Sequence, residues 1–310
     1  MSRELKRVGR ALGARLAAGA GASAGALTRA LIRAMRALPP QRAADALGHL
    51  LRRIGPWLPE HRIGGANLAA AFPEKSNAEI ERILSGVWDN LGRYAVELVQ
   101  IDRLTSNDPS RPGDDIVAEP AMLERLHRFR GERKAALIFA AHLANWELPP
   151  LIAARYGVDV VVLFRPPNIR AISEAVLKVR ANAMGTLIPT SFDAPVKLLR
   201  MLEAGRRVGM LVDQHYVRGV DVNFFGRRCK ANPLIAQLAR HAECPIHGIR
   251  VVRRADRNRF LIELTDPIAP ARDVSGRIDI AGTMQVITTV IEGWVSEHPE
   301  QWLWLHRRWR

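Results

Sequence analysis

Residues 135–140 form an uninterrupted apolar run, AALIFA, that stops at His142. A run without polar alternation suits a strand buried on both faces, as strands of parallel sheets are. Two more runs share the pattern. Residues 159–164 (DVVVLF) stop at Arg165, and residues 208–212 (VGMLV) stop at Asp213. Helical patterns separate these strands, which predicts an α/β sheet with both faces covered. If the strands run parallel, their C-terminal ends share one edge, where open α/β sheets form their crevices. His142, Arg165 and Asp213 are therefore expected to converge.

Glu147 follows His142 by five residues, a gap that turns two side chains apart on a single helix. The pair meets if His142 leaves the strand in a loop and Glu147 lies in the first turn of the next helix. Asn145 then serves as N-cap, with Pro149 and Pro150 near the helix start. Glu147 would orient one imidazole nitrogen and leave the other for chemistry. The plain alternative is a satisfied histidine beside a glutamate that favours a helix N-terminus. Convergence of three strand ends favours the site. For Arg165 the alternative is a structural ion pair, with Asp213 as its natural partner.

Further elements follow by pattern. Residues 42–54 read as helix, and Ser76-x-x-Glu79 is a capping box opening a helix that runs to about residue 99. Short strands are expected at residues 116–117 and 187–189, and strands at 245–252 and 260–264. Helices are expected at residues 121–130, 149–156, 169–184, 194–204, 234–241 and 278–297. The first 38 residues are Arg-studded and rich in Ala and Gly; their longest uncharged run, residues 16–28, is shorter than the ~20 residues a spanning helix needs. They read as a basic amphipathic helix lying on a membrane surface, or as a solvated helix packed on the rest. The expected division is residues 1–38 as that helix and residues 39–310 as a single α/β domain.

The chain carries 46 Lys and Arg against 31 Asp and Glu, a formal charge of +15. Such an excess implies an anionic partner: nucleic acid, an anionic membrane, or an acidic carrier or substrate. No nucleic-acid-binding motif accompanies it. The two cysteines, Cys229 and Cys244, lack metal-type spacing and fit a reducing compartment.

The one G-x-S-x-G match, residues 21–25, lies in the Ala/Gly-rich start with no strand pattern before it, so it reads as no nucleophile elbow, and there is no phosphate-binding P-loop. A His–carboxylate base without a protein nucleophile suggests deprotonation of a substrate hydroxyl, which then attacks directly. Arg165 would stabilise oxyanion charge or hold a phosphate. His142, Glu147, Asp213 and His215 also permit a metal-dependent hydrolase, but H-x4-E is not the helical H-E-x-x-H arrangement, so metal hydrolysis ranks below acyl transfer and no cofactor is expected.

An ordered set of motifs carries a resemblance: NLAAAFPEKS from Asn67, VWDNLGR from Val87, AHLANWE from Ala141, FRPPN from Phe164, LVDQ from Leu211, FFGR from Phe224 and PEQWLWLHRRW from Pro299. From about residue 38 to the C-terminus the sequence resembles the late acyltransferases of lipid A biosynthesis, the lauroyl/myristoyl type, within the lysophospholipid acyltransferase superfamily. The resemblance implies a glycerol-3-phosphate acyltransferase-like fold: a mixed, mostly parallel sheet flanked by helices, with an N-terminal helical region. It implies acyl transfer from acyl carrier protein to a hydroxyl of a lipid A precursor, on the cytoplasmic face of the inner membrane. His142 and Glu147 match the family's H-x4-D/E pair as base and orienter, Arg165 matches its phosphate- or oxyanion-binding arginine, and Asn145 and Asp213 are expected to join Arg165 in binding substrate or oxyanion. Other glycolipid or lysophospholipid acceptors fit the same chemistry.

Acyl carrier protein, lipid A phosphates and the inner-membrane surface are all anionic, which would account for the charge. Basic clusters at Arg227, Arg228 and Lys230, at residues 250–259 and at residues 307–310 are candidates for these contacts. Trp302, Trp304 and Trp309 read either as an interfacial aromatic belt or as a terminal segment packing its tryptophans inward.

Overall fold

The computed structural model describes residues 30–104, 116–118, 120–165, 185–256 and 259–309. The expected helix at residues 169–184 and most of the expected N-terminal helix lie outside the described residues; residues 30–37 are helical. No helix among the described residues is long and apolar enough to cross a membrane.

The strands are β1 (Ile116–Ala118), β2 (Ala136–Ala140), β3 (Val160–Phe164), β4 (Thr186–Pro189), β5 (Arg207–Leu211), β6 (His215–Phe224), β7 (Arg227–Ala231), β8 (Ile246–Arg253) and β9 (Phe260–Leu264). Seven of them form one sheet in the order β1-β9-β8-β2-β5-β3-β4, with β6 and β7 a separate ribbon. Every pairing in the large sheet is parallel except β8 with β9. This is the expected mixed, mostly parallel sheet. The three apolar runs lie side by side as β2-β5-β3, so their C-terminal ends do share one edge.

Helices cover both faces. On one lie α7 (Ala194–Glu203), α8 (Leu234–Ala242) and α9 (Ile280–Glu297), packed on Leu137, Phe139, Val161, Val208 and Met210. On the other lie α5 (Pro120–Gly131) and α6 (Leu148–Arg155), against Ile138, Val160, Ile249 and Leu264. Alternate residues of β2 thus feed different cores, as the pleat requires. Truncating a fully buried side chain such as Leu137 to Ala would cost about 2–5 kcal/mol.

After the helical residues 30–37 come α1 (Pro40–Ile54), α2 (Pro59–Ala71) and α3 (Asn77–Val99), then the short α4 (Ile101–Leu104), all ahead of the sheet. The Ser76–Glu79 capping box is present in both directions: the Ser76 hydroxyl accepts from the Glu79 N–H, and the Glu79 carboxylate accepts from the Ser76 N–H. α1 and α3 touch backbone to backbone at Gly48 and Gly92. A Cβ on Gly92 would sit 2.6 Å from the Leu47 carbonyl oxygen and 2.8 Å from Gly48 Cα, so only glycine permits this approach. Beside it the buried Arg93 guanidinium pairs with Asp89 and with Asp45 of α1. The crossing fixes α3, whose inner face brings Asn90, Tyr94 and Glu97 toward the sheet edge.

The β6–β7 ribbon was not foreseen. β6 has no buried residue before Val222, and both strands carry charges, so they lack the apolar run that marks the central strands. They are joined by a two-residue loop, Phe225-Gly226, with both residues at positive φ (52° and 67°), the backbone twist tight hairpins favour. The ribbon cradles the C-terminal segment: Trp309 donates to the Phe224 carbonyl, and Arg308 donates to the Lys230 carbonyl.

That segment decides between the two readings of the tryptophans. Trp302 and Trp304 are fully buried, and Trp309 is half-buried and stacked on Phe224. They pack inward, and an aromatic belt at these positions is ruled out. Members of two basic clusters are also turned inward, Arg253 onto Glu97 and Arg308 into the core, while Arg250 pairs with Glu263 and Glu297.

Candidate active site

The loop leaving β2 turns sharply at Ala144, which holds the left-handed conformation at φ 48°. A non-glycine residue rarely sits there, and such strain persists only where surroundings over-determine it. Here the Ala144 N–H donates to the Gln301 carbonyl at 2.9 Å, and the same carbonyl accepts from Asn90. The turn aims His142 and Asn145 in different directions.

His142 points to the end of β5. Its Nδ1 lies 2.7 Å from Asp213 Oδ1, and its backbone N–H donates to Asp213 Oδ2 at 2.8 Å. Register explains the meeting. Ala140 pairs with Leu211 in adjacent parallel strands, and each functional side chain stands two residues further on. Burial alone would raise the Asp213 carboxyl, but the charge and hydrogen bonds of His142 outweigh it and hold the group well below the usual carboxylate range. Nδ1 so placed donates to the carboxylate, which leaves Nε2 as the acceptor; the Gln214 carboxamide stands 3.2 Å from it.

The expectation that Glu147 orients the imidazole is corrected by this arrangement: the carboxylate on Nδ1 is Asp213. An ion pair of Arg165 with Asp213 is likewise replaced, since Asp213 spends its oxygens on His142 and on the Trp302 indole. The helix boundary shifts too. α6 begins at Leu148, so Glu147 occupies the N-cap position. Asn145 precedes it, accepting the Glu147 N–H on its side-chain oxygen at 3.2 Å.

Asn145, expected to bind substrate or oxyanion, instead turns inward, is fully buried and does not line the cavity. Its amide donates to Glu97 Oε2 at 2.9 Å, and Glu97 also receives both terminal nitrogens of Arg253 at 2.6 and 3.0 Å. Asn90 accepts the Arg253 Nε–H at 3.0 Å, and Gln301 bonds the Arg253 backbone in both directions. Each member of this buried network is supplied with partners, the condition under which buried charge is tolerated. Sequence reading missed Glu97, Asn90, Arg253 and Gln301. A charged residue in a helix or strand reads by default as surface, and nothing local marks the exceptions.

Glu147 lies nearby, accepting from the Tyr94 hydroxyl at 3.2 Å, while Trp146 stacks on the Tyr94 ring at 3.9 Å and meets His142 edge-on at 5.0 Å. His142, Trp146, Glu147, Arg165 and Gln214 all line one cavity of about 700 Å³. Tyr94, Thr190, His215, Tyr216 and Asn232 add further polar groups, and the rest of its walls is apolar. Ile138, Val160, Val162 and Gly209 come from the sheet, and Leu126, Phe129 and Ala153 from α5 and α6. From Phe164 at the edge to Val160 the lining follows β3 for roughly 13 Å at the usual strand rise. The cavity is a mostly apolar slot that also has the His142 imidazole in its lining.

Residues 21–310 match the model of the bacterial lipid A biosynthesis acyltransferases. The chain belongs to this family. No curated protein sequence matches it significantly. Membership gives the acyltransferase its general activity, acyl transfer in lipid A biosynthesis. Among the described residues of this acyltransferase no group of three or more His, Cys, Asp and Glu side chains is gathered as metal ligands would be.

Proposed function

We propose that the acyltransferase moves a fatty acyl chain from acyl carrier protein to a hydroxyl of a lipid A precursor, without an acyl-enzyme. His142 is the general base. Asp213 holds its Nδ1–H and stabilises the imidazolium as it forms. The acceptor hydroxyl displaces the Gln214 amide, gives its proton to Nε2, and its oxygen attacks the thioester carbonyl. The tetrahedral oxyanion collapses by breaking the C–S bond, and the departing thiolate recovers the proton from His142. Arg165, exposed at the mouth, stabilises the oxyanion or holds an acceptor phosphate; such a donor is worth about 3–4 kcal/mol of barrier. Glu147 accepts a hydrogen bond from the acceptor and turns its hydroxyl toward Nε2.

The observation that carries this reading is the position of a carboxylate-backed imidazole at the mouth of an apolar slot. The acyl chain fills the slot, and its thioester meets Nε2 at the entrance. The +15 charge suits an acidic carrier, a phosphorylated acceptor and the cytoplasmic face of the inner membrane, where the protein sits peripherally through residues 1–38 while residues 39–310 form the catalytic domain. The test is transfer by purified protein from loaded acyl carrier protein to a Kdo-lipid A precursor, with a lysophospholipid as the competing acceptor. Faster transfer to the lysophospholipid would overturn the acceptor assignment.

A further inference from the structure

The carboxylate on His142 has a further side-chain donor, from the C-terminal segment. Asp213 Oδ2 accepts the Trp302 indole N–H at 2.8 Å, on the same oxygen that takes the His142 backbone N–H. Trp302 is 1% exposed, and its ring meets Trp304 edge-on at 4.7 Å and Phe224 at 5.5 Å. The backbone on either side is tied to the His142 loop. Ala144 N–H donates to the Gln301 carbonyl, and Leu303 N–H donates to the His142 carbonyl at 3.1 Å. The C-terminal segment is therefore zipped to the loop that carries His142, and it delivers the indole in one place.

We infer that Trp302 is a positioning residue for acyl transfer: its N–H fixes Asp213 in the orientation that meets Nδ1 and moderates the carboxylate's pull on the imidazole. The inference rests on the reading of His142 as base. A hydrogen bond to the ionised carboxylate favours that form and withdraws charge from it. Without the indole donor Asp213 becomes more basic and stabilises protonated His142 more strongly. The other ionisable groups facing Asp213 are His306 and Arg308 of the same segment. His306 meets the Trp302 ring edge-on at 5.2 Å, and burial holds it below the usual histidine range. Arg308 is buried and bonded to the Lys230 carbonyl. Neither depends on the indole nitrogen.

Trp302→Phe removes the donor and keeps the ring. Trp304→Phe is its control, because Trp304 sits in the same cluster but donates to the Pro299 carbonyl at 2.7 Å. The readouts are the titration of His142 by NMR in histidine-labelled protein, assigned with His142→Ala, and the pH dependence of transfer from acyl carrier protein to a Kdo-lipid A precursor. In Trp302→Phe the His142 midpoint is expected to rise by about half to one pH unit and kcat to fall about ten-fold, with KM unchanged. Trp304→Phe leaves the midpoint alone. An unmoved midpoint in Trp302→Phe, or an equal shift in both variants, overturns the inference. Wild-type turnover in His142→Ala would instead overturn the base reading beneath it. Should Trp302→Phe not fold, the wild type decides: one tryptophan indole N–H resonance should follow the His142 titration, and its absence overturns the inference.

Discussion

Asp213 reaches His142 from the neighbouring strand, with Oδ1 2.7 Å from Nδ1, although Glu147 is far closer in sequence. The meeting depends on strand order. β2 and β5 are adjacent and parallel, and equal steps past Ala140 and Leu211 bring the two side chains level. The His142–Asp213 pair is thus assembled by the sheet, and the carboxylate at the H-x4-E spacing, Glu147, accepts from Tyr94 instead.

Asp213→Asn tests the partner. The amide keeps the shape but offers no charge to a forming imidazolium, and kcat should fall about 10²–10⁴-fold, in the range of acid–base contributions. Glu147→Gln should act mainly through the acceptor, raising its KM more than it lowers kcat. The two sets of steady-state constants separate the roles.

Stability should carry the mark of the same contact. Asp213 titrates in the folded protein well below its unfolded value of about 4, so its contribution is present above that pH and is lost as pH falls toward the folded value. Urea unfolding of the wild type should therefore weaken more steeply from pH 5 to pH 3 than that of Asp213→Asn. Parallel curves would show that the pair is not coupled to folding.

The slot makes chain length adjustable. Gly209 lies on its floor, and a Cβ there would meet Val160 Cγ1 at 3.6 Å, ordinary contact. Gly209→Leu should fold, fill the slot and shift preference toward shorter acyl chains. Competition among acyl carrier proteins loaded with different chains reads this directly.

Neither thiol takes part in the proposed reaction. Burial pushes the Cys244 thiol up to about 11 and raises Cys229 as well, so both stay protonated and unreactive at neutral pH. Transfer should survive alkylation with N-ethylmaleimide, and the Cys229→Ala/Cys244→Ala enzyme should keep its turnover. Loss of activity on labelling, with the fold intact, would contradict a mechanism without an acyl-enzyme.

The strands beside the site were legible because each is an uninterrupted apolar run, and the polar residue ending each run marked the functional edge. The choice between Asp213 and Glu147 was not legible, because spacing along the chain does not say which strands are neighbours. The buried Glu97–Arg253 pair was hidden for a related reason: its members lie 156 residues apart and each reads locally as surface. The β6–β7 ribbon escaped because its exposed face is as polar as a loop. Trp302, Trp304 and Trp309 were noticed, but an amphipathic pattern fits a membrane interface as well as a buried segment, and only the packing on Phe224 separates them.

The central claim is direct transfer by a His142–Asp213 base, and single-turnover acyl transfer tests it most directly. Wild type, His142→Ala and Asp213→Asn would each be mixed with radiolabelled acyl carrier protein and a Kdo-lipid A precursor, and label followed on acceptor and on protein. Label should pass to the acceptor in the wild type with none retained covalently on the enzyme, and transfer should be lost almost completely in both folded variants. Covalent acyl-enzyme formed and consumed on the pathway, or wild-type transfer by His142→Ala, would contradict that claim.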